Sequence, residues 1–185
     1  MPGWKLGAPL LLFFLAFAVD GSNSYLYLLK QTSQGALDKL PNLYIPNNTL
    51  RLFTGSGMGI ALASILYPAF NQTAWKESDR QRSLDWKKLG ILIGTILLID
   101  LAILTEHPAV LYPIANLSVL GALALLIIVF SMVWVLMMRQ ENAFDSLRQM
   151  WMPFVAGTTL AFLMITVIDL LRFRLTGTWG GFPLG

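Results

Sequence analysis

Five long runs of apolar residues limit what this chain can fold into. A helix needs about 20 apolar residues to cross a hydrocarbon core about 30 Å thick, and each run is close to that length. Runs of this kind cannot supply the alternating pattern of a transmembrane β-barrel. The sequence therefore predicts an all-α integral membrane protein, a single membrane domain built as a bundle of five transmembrane helices. We place the spans at about 4–19, 50–70, 89–105, 113–138 and 150–171.

The composition supports a membrane protein and excludes several kinds of site. Only 12% of the 185 residues are charged, against about 25% in a typical soluble domain. The chain has no cysteine and one histidine, His107. It cannot by itself hold a structural zinc, an iron–sulfur cluster, a disulfide or a bis-histidine haem. We interpret His107 as a helix cap, with ligation of a pigment or haem iron as the alternative. We predict no metal and no cofactor within the chain, with lipids as its expected small-molecule partners.

Basic residues orient the predicted spans. By the positive-inside rule, the loop at 71–88 lies in the cytoplasm, the N-terminus is inside and the C-terminus is outside. We expect a short amphipathic helix near Ser78 in this loop. The membrane is expected to be the bacterial cytoplasmic (inner) membrane. The loop contains five basic residues, Lys76, Arg80, Arg82, Lys87 and Lys88.

The predicted outer loop, 21–49, is too long for a simple turn. Ser22, Asn23 and Ser24 offer caps for a short interfacial helix, with a re-entrant turn as the alternative. The next helix is expected to begin at the caps offered by Asn47, Asn48 or Thr49. The first span is interpreted as a retained anchor, and a cleaved signal peptide is the alternative because Ala16-Phe17-Ala18 resembles a cleavage site.

Three aspartates lie within or at the ends of the predicted spans, where a carboxylate is costly. We expect Asp20 to form a structural ion pair with Arg51, and Gly21 to let the chain bend away after the first span. Asp169 and Arg172 are three residues apart on one helix and are expected to pair. Asp100 has no partner in the sequence pattern. It is the candidate functional carboxylate, a proton or cation site, against the alternative of a protonated or hydrogen-bonded structural group.

Glycines in two spans suggest faces for close helix packing. The segment TGSGMGIALAS could be compared with a nucleotide-binding loop, but no strand precedes it and it lies within a span. Small residues four positions apart instead allow helix backbones to approach closely. We predict helix packing, within the chain or with a partner, through Gly55, Gly59 and Ala63 and through Gly90 and Gly94.

Four short pieces of the sequence are distinctive: Asp20-Gly21, Asn48 with Leu50-Arg51-Leu52, Thr54-Gly55 and Gly177-Thr178-Trp179. In these pieces and over most of its length, the chain resembles an uncharacterised family of bacterial integral membrane proteins, seen especially in Chloroflexi-type bacteria. The resemblance implies an integral membrane architecture without an assigned activity. Fuller members carry an upstream segment with cysteine and histidine that this sequence does not contain.

These observations favour a membrane subunit over an enzyme. Neither a nucleophile triad nor a metalloprotease motif occurs, and nothing indicates a nucleic-acid partner. We predict a non-catalytic integral membrane subunit that stabilises a larger bacterial complex, a respiratory or photosynthetic electron-transfer assembly, with other integral membrane subunits and the bilayer as partners. The alternative is a small ion or proton-coupled transporter or channel that uses Asp100.

Overall fold

A computed structural model of the chain describes residues 4–32, 41–77 and 84–177. This part of the chain is helical and contains no β-strand, only an isolated bridge between Trp75 and Phe144. The all-helical prediction is confirmed. The five helices are α1 (Trp4–Thr32), α2 (Asn48–Ala74), α3 (Trp86–Ile103), α4 (Pro108–Met137) and α5 (Trp151–Thr176).

Four of the five helices, α1, α2, α4 and α5, are long and apolar enough to cross a membrane. The exception among the described helices is α3. Its 18 residues include three charged groups, Lys87, Lys88 and Asp100, so it does not qualify by length and composition. The predicted third span and the inside or outside placement of the two termini therefore stay predictions.

The first helix differs from the sequence prediction. We expected a span that ends at 19 and a bend at Gly21, but α1 continues without interruption to Thr32. Its 29 residues correspond to about 43 Å, more than the hydrocarbon core requires. The predicted bend at Gly21 is wrong, because the carboxylate of Asp20 is satisfied inside the fold and the helix has no need to end there.

The next connection agrees better with the sequence. Helix α2 begins at Asn48, and the Asn47 side chain accepts a hydrogen bond of 2.8 Å from the Thr49 amide, which is the geometry of a helix cap. The connection predicted at 71–88 is shorter than expected, because α2 continues to Ala74 and α3 begins at Trp86. The helix expected near Ser78 and the tail beyond Gly177 lie outside the described residues.

The chain divides into two compact units, which we call unit 1 and unit 2. Unit 1 comprises Met1–Pro68 and Arg80–Ile114, and unit 2 comprises Ala69–Asp79 and Ala115–Gly185. Helices α2 and α4 therefore each contribute to both units.

The core of unit 1 joins α1, α2 and the start of α3. Gly57 on α2 lies against Phe13 of α1, and a Cβ atom at Gly57 would be 3.0 Å from the Phe13 ring. Close packing of α1 against α2 thus depends on the absence of a side chain at Gly57, which is buried. The cluster of buried side chains consists of Leu6, Leu10, Ile60, Ala61, Leu84 and Leu89.

Unit 2 ties the end of α2 to the segment after α4. The amide of Asn142 donates to the Thr73 carbonyl at 2.9 Å, and the amide of Phe144 donates to the Ala74 carbonyl at 3.2 Å. Phe144 is buried there, and the ring of Phe70 stacks on Phe154 with ring centres 6.1 Å apart. The connection at 138–150 is therefore packed against the helix ends rather than loosely attached.

Helix α4 ends in a Schellman motif. The amide of Gln140 donates to the Val135 carbonyl at 3.0 Å, and the amide of Arg139 donates to the Leu136 carbonyl at 3.1 Å. Arg139 takes the left-handed conformation, with a φ of 54°, at the position where glycine is usual. The motif supplies hydrogen-bond donors to two backbone carbonyls at the C-terminal end of α4.

Candidate functional site

The Asp20 side chain is buried, with 2% of its surface exposed, and accepts hydrogen bonds from hydroxyl groups. Tyr44 donates to Oδ1 at 2.5 Å, the short distance typical of a hydroxyl bonded to a carboxylate. Thr54 lies 3.3 Å from Oδ2, but its one proton is shared with the Leu50 carbonyl at 3.0 Å. Tyr44 is therefore the main partner of Asp20.

The expected pair between Asp20 and Arg51 does not occur in the described part of the chain, where the ion pair found is Asp169–Arg172. Hydroxyl groups, and not the Arg51 guanidinium, are the partners of Asp20, because the segment 41–47 brings Tyr44 back over α1. The hydrogen bond to Asp20 raises the pKa of Tyr44 above its ordinary value of 10.0. The Tyr44 hydroxyl thus keeps its proton, and the bond to Asp20, past the pH at which a free tyrosine ionises.

Asn23, one turn beyond Asp20, holds the same segment by its backbone. Its side-chain nitrogen donates to the Tyr44 carbonyl at 2.9 Å, and its side-chain oxygen accepts from the Leu43 amide at 2.7 Å. Asn23 is 3% exposed, so the side-chain end of each bond is sheltered from solvent, and the bonds as a whole are partly buried. A third bond, 2.6 Å from the Lys30 ammonium to the Asn42 side chain, extends the contact. The second half of α1 therefore serves as the support for residues 42–44.

Asp100 is buried to the same extent as Asp20, with 2% exposure. The Ser56 hydroxyl of α2 donates to Asp100 Oδ1 at 2.8 Å. The other oxygen, Oδ2, is buried and has no hydrogen-bond partner among the described residues. A buried carboxyl oxygen without a partner is costly, and a proton or a small ligand bound there would remove that cost.

The predicted glycine faces are open within this chain. A Cβ atom added at Gly55, Gly59, Gly90 or Gly94 would meet nothing within 4 Å, and Ala63 is exposed. These faces therefore form no close helix contact in the part of the chain that the structure describes, and their packing against a partner stays a prediction.

The contacts that do need small residues lie elsewhere. Gly57 and Ala61 are buried on α2, and Gly157 and Ala161 are buried on α5. Both pairs have the four-residue spacing of a close-packing motif, so the sequence contained the signal. A Cβ atom at Gly157 would lie 2.7 Å from the Ile127 carbonyl oxygen of α4.

The remaining predicted residues have structural roles. The Nδ1 atom of His107 accepts a hydrogen bond of 3.3 Å from the Ala109 amide, which confirms the interpretation of His107 as a cap, here at the start of α4. Asp169 and Arg172 form the expected ion pair, with atoms 3.2 Å apart. Among the described residues, no group of three or more histidine or acidic side chains could hold a metal ion.

Comparisons with protein-family models, with curated proteins and with solved structures returned no match to this chain.

Proposed function

We propose that the chain is a non-catalytic integral membrane subunit that stabilises a larger assembly in a bacterial cytoplasmic membrane, an electron-transfer complex. The observation that carries this proposal is the pair of open glycine faces on α2 and α3, which fit close helix contact but have no neighbour among residues 4–32, 41–77 and 84–177. The resemblance to bacterial membrane proteins is the reason for the choice of membrane and stays a prediction.

Burial of the spans supports the same proposal. In the most apolar window of α4 only 11% of the residues are buried within the chain, and the value for α5 is also 11%. Lipid can cover apolar surface of this kind. A stripe of glycines does not improve the packing of lipid, but it lets the backbone of a second helix come into close contact. A partner helix is therefore the better occupant of the glycine faces.

We further propose that α3 crosses the membrane beside α2, with the N-terminus inside and the C-terminus outside. The support is that α3 contacts α2 at two places along its length, one near each end of α3. Leu89, in the first turn of α3, belongs to the cluster with Ile60 and Ala61, and Asp100 near its other end is bonded to Ser56. A helix of 18 residues spans about 27 Å, close to the hydrocarbon thickness.

The subunit proposal is tested by purification from native membranes in mild detergent followed by mass spectrometry. The wild-type chain should purify at fixed stoichiometry with other integral membrane polypeptides that hold redox cofactors. Gly59→Leu and Gly94→Leu should lose these partners, because the added side chain fills the contact face. Neither change should lower the melting temperature of the isolated chain, since both positions are open.

Gly121→Leu is the matched control, because Gly121 is an exposed glycine of α4 that also has open space around it. This variant should keep the partners. If the wild-type chain purifies alone, as a monomer or a homo-oligomer, the subunit proposal fails.

The second candidate function is a small ion or proton-coupled transporter, which the unpartnered Oδ2 atom of Asp100 favours. Asp100→Asn keeps the size of the side chain and an oxygen that can accept from Ser56, but it removes the group that takes up a proton. We expect this variant to fold normally and to lose all proton or cation flux in liposomes. The matched control is Asp169→Asn, an exposed acid of α5. Equal flux through wild type and Asp100→Asn would eliminate this candidate.

A further inference from the structure

An open cleft of about 780 Å³ lies in unit 1, between the middle of α1, the start of α2 and the connection from α3 to α4. Small-molecule sites usually measure 300–1,000 Å³, so the cleft can enclose a substantial part of a ligand. Five apolar side chains form its wall, Phe17, Leu52, Ile103, Leu104 and Leu111.

The cleft contains one positive and one negative side chain. Arg51 lies in the first turn of α2, and Glu106 follows the end of α3. Both side chains are exposed, and neither forms an ion pair in the described part of the chain. Two opposite charges that share a cleft without bonding each other provide separate contacts for a ligand with both signs.

The arrangement of charge and apolar surface matches the edge of a bilayer. Asn48 and Thr49, at the start of α2, add polar groups to the same rim as Arg51. Phe17 and Leu52 belong to helices that are apolar enough to span, and α2 continues from this rim as a helix of 27 residues. A ligand in the cleft would therefore have its polar end at the interface and its apolar end along the helices.

We propose that this cleft is a binding site for a zwitterionic phospholipid with a primary ammonium, phosphatidylethanolamine. Arg51 binds the phosphate, Glu106 accepts hydrogen bonds from the ammonium, and one acyl chain lies along the wall formed by Phe17, Leu52 and Leu104. Guanidinium and phosphate form strong, charge-assisted hydrogen bonds. Basic sites beside transmembrane helices commonly bind lipid headgroups.

The two charges together select this headgroup. Phosphatidylglycerol would fit Arg51 but would leave Glu106 without a cation and close to a negative phosphate. Phosphatidylcholine has a quaternary ammonium with no N–H, so it cannot donate to the Glu106 carboxylate. Phosphatidylethanolamine satisfies both side chains at once.

The experiment is native mass spectrometry of the full chain released from nanodiscs that contain equal amounts of the three phospholipids with identical acyl chains. We expect the wild-type chain to retain phosphatidylethanolamine about tenfold more than phosphatidylglycerol, the factor expected from one charged hydrogen bond. Arg51→Gln should reduce retention of all three lipids, because every headgroup has a phosphate. Glu106→Gln should keep total retention and lose the preference for the primary ammonium.

Two exposed residues of unit 2 provide controls of the same charge, Arg148→Gln and Glu141→Gln. Both should bind lipid as the wild type does, and a thermal melt of each variant shows whether it is folded. Equal retention of the three lipids by folded wild-type chain would overturn the proposal. The same conclusion would follow if Glu141→Gln changed the preference as much as Glu106→Gln.

Discussion

Replacing Gly157 with alanine is expected to lower the stability of the chain by about 2 kcal/mol, within the range for an overpacked core. A Cβ atom at this position would lie 2.7 Å from the Ile127 carbonyl oxygen and 2.8 Å from the Ser131 backbone nitrogen. These are backbone atoms of α4, so they can move only if α4 and α5 separate. The apparent melting temperature in detergent, at a fixed scan rate, should fall by about 4–8 °C.

Gly121→Ala is the matched control, since Gly121 lies on α4 with open space around it. This change should leave the melting temperature unchanged or raise it slightly, because alanine favours a helix over glycine by about 1 kcal/mol. Ser131→Gly combined with Gly157→Ala should restore only part of the loss, because the Ile127 carbonyl remains in the way. If Gly157→Ala melts like Gly121→Ala, α4 and α5 do not approach this closely in the folded protein.

Replacing Asn23 with alanine is expected to release the segment at 42–44 from α1. The change removes two hydrogen bonds, to the Leu43 amide and the Tyr44 carbonyl, and leaves both backbone groups without their partner. An unsatisfied buried group costs about 1–3 kcal/mol. Hydrogen exchange at the Leu43 amide, followed by mass spectrometry of the detergent-solubilised chain, should therefore become roughly 10- to 100-fold faster.

Ser22→Ala serves as the control, because Ser22 precedes Asn23 on α1 but is exposed. Its exchange at Leu43 should match that of the wild type. Asn23→Asp is informative as well, because a carboxylate can accept from the Leu43 amide but cannot donate to the Tyr44 carbonyl. At the Leu43 amide, Asn23→Asp should therefore accelerate hydrogen exchange less than Asn23→Ala does. Unchanged exchange in Asn23→Ala would show that the segment is held by other contacts.

Apolar length predicted the helices well where charged residues were confined to the ends of a run. Predicted spans at 50–70, 113–138 and 150–171 correspond to α2, α4 and α5, because long runs without a central charge leave few alternatives. The end of α1 was missed because Asp20 and Gly21 together indicate an exit from the membrane. In the fold, Tyr44, 24 residues away, donates a hydrogen bond to the Asp20 carboxylate, so the helix can continue past it.

Side-chain partners were harder to predict than helices. The choice of Arg51 for Asp20 rested on opposite charge, yet a neutral hydroxyl avoids the cost of removing a second ion from water. Ser56 carried no charge and no spacing signal that would connect it with Asp100, 44 residues away.

The glycine faces were ambiguous for another reason. Gly55, Gly57 and Gly59 all have small neighbours four residues on, and only the fold shows that the face with Gly57 lies inside.

The contact between Asp100 and Ser56 has a consequence for biogenesis. A segment with two lysines and an aspartate among 18 residues is a poor substrate for insertion on its own, because a carboxylate within a membrane helix is costly, up to about 2.5–3.5 kcal/mol at the helix centre. The hydroxyl that lowers this cost arrives on the preceding helix. If α3 crosses the membrane as proposed, its insertion should thus depend on α2 remaining beside it at the translocon, and Ser56→Ala should lower the fraction of chains in which α3 is inserted.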